Sequence, residues 1–264
     1  MSLIDGPACD LWIETVGEGA PVTVVAHGLA SSSRDLLPLA QRLPGTTVLL
    51  DLRGHGRSDS PSEDVGYDHL AMRADVEHVA NRCGATHALG VSLGAGAIMN
   101  LLGDHPDRFE RIVFVIPSRI DEPCDDVEGT FAMADLIERK PLEEMADEML
   151  AMPALAGLLE RHPGWRTQIR GQLLAMNPVG VPRAYRAYAF GRPPLDDAER
   201  LRHVRAPVLI AANANDPAHP VEVSRRLAAL LPNAELDVYT EDFAMFIDDL
   251  DRFAARAAAF LTMG

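Results

Sequence analysis

The segment that most restricts the fold of this chain is Gly90-Val91-Ser92-Leu93-Gly94, a Gly-x-Ser-x-Gly run between an apolar strand and an apolar helix. Residues 86–91 read as a short, mostly apolar strand, and residues 93–100 (LGAGAIMN) as the buried start of a helix. Ser92 is thereby assigned to a tight strand-to-helix turn. Such a turn holds its central residue in a strained backbone conformation, and the residues two before and two after must be small for strand and helix to approach. Gly90 and Gly94 meet that need. The new helix points its amino terminus at the serine, so the Leu93 N–H and the helix dipole are expected to stabilise negative charge on a carbonyl oxygen held there.

Around this turn, strands alternate with helices. Residues 11–16 and 22–26 read as strands joined by Gly17-Glu18-Gly19-Ala20-Pro21, which suggests an antiparallel opening pair. A helix is expected over 34–43, a β-branched strand over 46–50, an amphipathic helix over 68–81 and another buried strand over 111–116. From about residue 117 to 205 the strand signal vanishes, and the stretch reads as helical and broken by proline. Strand 207–212, a helix over 221–231, strand 234–239 and a closing helix over 248–261 restore the alternation. The pattern predicts an α/β fold: a mostly parallel, doubly wound sheet of about eight strands with an inserted helical cap. The core is expected over 1–116 and 206–264, and the cap over 117–205. A chain of 264 residues is long enough for such an arrangement.

Charge excludes some partners. With 39 acidic against 24 basic residues, the net charge of -15 repels phosphate backbones and anionic membranes, so neither nucleic acid nor membrane is an expected partner. Cys9, Cys83 and Cys124 form no paired motif, which argues against a disulfide framework or a zinc site. The opening MSLIDGPACD has no basic stretch followed by an apolar one, and no run approaches membrane-spanning length. A soluble cytoplasmic protein is expected.

Four segments carry a resemblance. His27-Gly28-Leu29 after a strand looks like an oxyanion loop, and Asp51-Leu52-Arg53-Gly54-His55-Gly56-Arg57-Ser58 matches a D-x-R-G-x-G-x-S segment. Residues 90–94 form a nucleophile elbow, and Asn213-Ala214-Asn215-Asp216-Pro217-Ala218-His219-Pro220 resembles an acid-bearing loop after a strand. On these residues the chain resembles the α/β-hydrolase fold family over essentially its whole length. The resemblance implies Ser92 as nucleophile, the Leu29 and Leu93 amides as oxyanion donors, Asp216 as the triad acid, and no cofactor. A serine nucleophile also argues against relatives whose chemistry needs a carboxylate to form an alkyl-enzyme ester.

The resemblance fails at one position. The family's triad histidine usually follows the last strand, but here the chain reads Tyr239-Thr240-Glu241-Asp242-Phe243. Phe243 stands where histidine is expected, and a register slip of one puts Asp242 there. Without a base the serine hydroxyl is a weak nucleophile, so hydrolysis is expected to be impaired, rearranged or absent. His219, three residues after Asp216, is the candidate surrogate base. The competing reading, a packed or solvent-facing loop residue, is the one the sequence alone favours. His27 is expected to be a structural hydrogen-bonding residue.

Within the cap, residues 121–148 hold eleven acidic residues against two basic ones, whereas 161–192 holds six arginines and no acid. Arg166, Arg170, Arg183 or Arg186 is a candidate for attracting an anionic substrate. The favoured alternative is that the two halves pair with each other. Trp165, Met176, Tyr185, Tyr188 and Phe190 are candidates for an apolar acyl pocket or for plain packing. The expected function is therefore a serine-hydrolase-type enzyme acting on an ester or thioester of a small, largely apolar acyl group. The alternatives are a silent or non-hydrolytic protein binding a ligand under its cap, or a variant trapped by the replacement at Phe243.

Overall fold

A computed structural model of the chain describes residues 1–62, 66–240 and 244–263. Eight strands form one sheet: β1 (Ser2–Asp5), β2 (Asp10–Gly17), β3 (Val22–Ala26), β4 (Thr46–Leu50), β5 (His87–Val91), β6 (Arg111–Val115), β7 (Val208–Asn213) and β8 (Ala234–Tyr239). Their order across the sheet is β1-β2-β4-β3-β5-β6-β7-β8. Pairing is antiparallel from β1 to β2 and from β2 to β4, and parallel everywhere else.

The interior strands are apolar on both sides because helices cover both faces of the sheet. Along β3, Val24 and Ala26 enter one core while Val25 enters the other. Ile112 and Phe114 of β6 likewise oppose Val113, and Ile210 of β7 opposes Leu209. One core is closed by α2 (His69–Cys83), α3 (Leu93–Asp104) and α9 (Val221–Leu230), through Met72, Val76, Ile98 and Leu227. The other is closed by α1 (Ser33–Ala40) and α10 (Leu250–Thr262), through Leu36, Leu39, Phe253 and Phe260.

The expected hairpin between the first two sequence-predicted strands is corrected. The strand β4 lies between β2 and β3, with Thr46 opposite Gly17 on one side and Val22 on the other. The reason is burial. The strand β3 is hidden almost throughout and takes a parallel partner on each edge, whereas β2 is only partly buried and suits a place nearer the sheet margin.

Between β6 and β7 the chain forms five α-helices: α4 (Val127–Arg139), α5 (Leu142–Ala151), α6 (Pro153–Arg161), α7 (Arg166–Leu174) and α8 (Gly180–Phe190). They enclose a third core around Ile137, Met145, Trp165, Ile169 and Val181. This is the inserted helical cap. Among the described residues, no helix is long and apolar enough to cross a membrane.

Candidate active site

Ser92 sits at the corner between β5 and α3 with φ 46° and ψ −105°, a conformation that L-residues rarely adopt. The corner closes only because its flanks lack side chains. A Cβ on Gly90 would stand 2.7 Å from the Ala95 backbone, and one on Gly94 would stand 2.3 Å from the Ala26 carbonyl oxygen. The Ser92 N–H donates to the Val115 carbonyl at 2.9 Å, and the Gly94 N–H donates to that of His27 at 3.1 Å. These bonds tie the start of α3 to the ends of β6 and β3.

The loop after β3 is fixed by His27, which is fully buried. Its Nδ1 donates to the Gly28 carbonyl at 2.7 Å, and its Nε2 accepts from the Leu52 N–H at 3.0 Å. Burial pushes its pKa down to about 4, so the ring is neutral. The sequence-stated structural role for His27 matches this geometry. Leu29 lines a cavity beside Ser92, and Leu93 opens α3. Among the described residues, neither backbone N–H has an acceptor.

The Asp51–Ser58 segment braces this loop from below. Asp51 accepts the Ser33 N–H at 2.5 Å through Oδ1 and the Arg57 N–H at 2.9 Å through Oδ2. Arg53 reaches α2, where it donates to both carboxylate oxygens of Asp75 at 2.8 and 2.7 Å, with both side chains buried.

Asp216 lies in the loop after β7 and is buried. Its Oδ1 accepts the amides of Ala218 and His219 at 3.0 and 3.1 Å, and its Oδ2 lies 2.7 Å from His219 Nδ1. Burial opposes ionisation of this carboxyl, but the His219 ring and the two amides outweigh it and hold Asp216 below the usual carboxylate range. With its Nδ1 proton directed at a carboxylate, the imidazole presents Nε2 as an acceptor. That nitrogen lies 2.9 Å from Ser92 Oγ. His219 therefore neither packs idly nor faces solvent, as the favoured sequence reading had it. Phe243 and Asp242, the two positions weighed for the missing histidine, lie outside the described residues.

A cavity of about 310 Å³ opens over Ser92 and His219. Its walls are mainly apolar: Leu36, Val91 and Ile116 from the core, and Leu155, Ile169 and Leu173 from the cap. None of Trp165, Met176, Tyr185, Tyr188 and Phe190 lines it. Trp165 and Met176 are instead packed inside the cap, the Tyr188 hydroxyl lies 3.0 Å from Ser118 Oγ, and Phe190 is exposed. Wall residues that the sequence reading did not single out are Asp35 and Gln172, on facing helices of core and cap.

The cap arginines do not reach the cavity. Arg170 pairs with Glu143 and, at 3.2 Å, with Asp147. Arg186 pairs with Asp135 at 3.1 Å and Glu138 at 2.6 Å, while Arg183 donates to the backbone carbonyls of Ser60 and Pro61. Two arginines of the cationic half are thus engaged by four carboxylates of the anionic half. Among the described residues, no group of three or more His, Cys, Asp and Glu side chains is placed to hold a metal ion.

A profile of the alpha/beta hydrolase family matches residues 23–256. The chain belongs to this family. Among alpha/beta hydrolases, it is 29% identical over 225 residues to a putative carbamate hydrolase, RutD, of Caulobacter sp. (strain K31), covering 81% of this chain and 80% of that one. It is 27% identical over 257 residues to the rhodomycin D methylesterase DauP of Streptomyces sp. (strain C5), covering 86% of each. In fold it is similar to the enol-lactonase from Burkholderia xenovorans LB400, with a TM-score of 0.82 and 21% identity over 99% of this chain and 100% of that one.

Proposed function

We propose that this alpha/beta hydrolase cleaves an ester or thioester of a small, largely apolar acyl group, with Ser92 as nucleophile, His219 as base and Asp216 as the acid that orients it. One observation carries the reading: a single imidazole lies within hydrogen-bond distance of both the Ser92 hydroxyl and the Asp216 carboxylate. Ser92 Oγ attacks the substrate carbonyl carbon while its proton passes to His219 Nε2. The resulting oxyanion is held by the Leu29 and Leu93 amides, which have no competing acceptor among the described residues. His219 then returns the proton to the departing alcohol or thiol, leaving Ser92 acylated. A water molecule gives its proton to the same nitrogen and attacks the acyl carbonyl, and as the bond to Ser92 Oγ breaks, His219 returns that proton to Oγ and the acid is released.

The size and apolar walls of the cavity favour a compact acyl group. The names of the relatives, a putative carbamate hydrolase and a methylesterase, agree with attack at a carbonyl carbon. The cap is taken as 117–205 and the core as 1–116 with 206–264. The three free cysteines suit a reducing, cytoplasmic setting. A nitrophenyl-ester assay tests the activity. Turnover by the wild type that disappears in Ser92→Ala supports the reading, and turnover that survives the substitution removes it.

A further inference from the structure

The cavity over Ser92 does not end at its apolar wall. A second cavity, of about 420 Å³, lies against it between α1 and α7, and the two share Asp35, Gln172, Phe246 and Ile247 as a partition. The outer chamber differs in chemistry, for Arg34, Thr167 and Gln168 contribute to its wall.

The partition presents unused hydrogen-bonding capacity. Asp35 Oδ2 accepts from Ser31 Oγ at 2.8 Å and from the Ser32 N–H at 3.1 Å, closing the first turn of α1, but Oδ1 accepts nothing from the described residues. The Gln172 amide likewise makes no hydrogen bond with them, and both residues are only partly exposed. Both groups border the two cavities, where the Asp35 Oδ1 can accept from a ligand donor and the Gln172 amide can donate or accept.

We propose, building on the ester-cleavage reading, that the natural substrate is elongated and bifunctional. Its reacting carbonyl and apolar chain occupy the inner chamber, and a hydrogen-bond donor farther along the chain, a hydroxyl or amino group, engages Asp35 and Gln172 at the mouth of the outer one. The partition selects for that donor and against a terminal carboxylate, which Asp35 repels.

The test compares unsubstituted alkanoate esters with ω-hydroxy, ω-amino and ω-carboxy esters of graded chain length, in both the acyl and the alcohol arm. The readout is the ratio of kcat/KM for each substituted ester to that of its unsubstituted partner. At one length, a hydroxy or amino ester is expected to be preferred by about tenfold. Asp35→Asn is expected to reduce the amino preference, and Gln172→Leu the hydroxy preference, each by about fivefold or more. A general loss of folding lowers both members of a pair alike and leaves the ratio unchanged. The proposal is overturned if no length yields a preference, if the carboxy ester is preferred, or if the preference survives both substitutions. Calorimetric titration of Ser92→Ala protein with the same pairs reads the ratio as binding. It therefore decides the proposal even if the wild type cleaves none of them, an outcome that would remove the ester-cleavage reading alone.

Discussion

Asp216 and His219 stand three residues apart in one loop, with His219 Nδ1 2.7 Å from Asp216 Oδ2, so the proposed acid and base of this site share a single turn of backbone. The same aspartate caps that turn by accepting the amides of residues 218 and 219. The carboxylate thus fixes both the path of the loop and the tautomer of the ring.

From this relationship, His219→Ala is expected to lower kcat on any cleaved ester by about 10⁴-fold or more, with the double variant Ser92→Ala/His219→Ala little worse than either single change. Asp216→Asn leaves the ring in place but favours the wrong tautomer, and a loss of about 10⁴-fold is expected. Phe243→His is expected to leave kcat within a few-fold of wild type. A large gain there, measured by steady-state kinetics, would move the base away from His219.

Arg170→Gln and Arg186→Gln are expected to change KM for a carboxylate-bearing ester by less than about twofold, because both guanidinium groups are engaged by cap carboxylates and neither lines the cavity. A KM rise of tenfold or more, confined to the anionic ester, would restore these arginines as substrate contacts.

Arg53 and Asp75 form a buried, doubly hydrogen-bonded pair between the loop after β4 and α2. Asp75→Asn removes the charge from the carboxylate that this buried guanidinium engages twice and is expected to cost about 3–5 kcal/mol of folding free energy. Urea unfolding followed by circular dichroism measures it, and a cost below about 1 kcal/mol would show that the pair is dispensable.

His27, His55 and His69 are buried, and loss of hydration pushes their pKa values down to about 4, 3 and 3. Their unfolded value is about 6.5, so below that pH the unfolded chain binds protons that the folded chain refuses. The neutral rings' contribution to stability is complete above about pH 6.5 and declines as the pH falls toward 4, by up to about 1.4 kcal/mol per pH unit for each ring. Asp35 and Asp75, raised above the ordinary carboxylate range mainly by burial, act in the opposite direction. Calorimetry is expected to show Tm falling by several degrees between about pH 7.5 and 5. A constant Tm would mean that the three rings exert no net effect on stability over this range.

The elbow at Ser92 was legible because its requirement is local: two glycines, a preceding apolar strand and a following apolar helix. Most helices and the strands β2 to β8 were legible for the same reason, since periodicity records which faces are buried, whereas β1, only four residues long, was not read as a strand. Strand neighbours were not legible. Whether β2 meets β3 or β4 depends on where β4 inserts, and residues 17–21 carry no record of that. His219 lay between these cases. An Asp-x-x-His spacing places the two side chains within reach of each other, but whether the far side of the ring meets Ser92, 127 positions earlier, is decided by the sheet. The cavity wall was hardest to read. Asp35 lies in the first turn of α1, and it borders the cavity together with Gln172 of α7, a pairing across 137 positions that no local pattern records.

With the proposed base and acid carried on one short turn, proton transfer depends on holding two stretches of backbone in mutual register instead of three. The segment that follows the last strand is thereby released from chemical duty. Substitutions, insertions or grafted sequences there are constrained by packing and, at Phe246 and Ile247, by the shape of the cavity that they line.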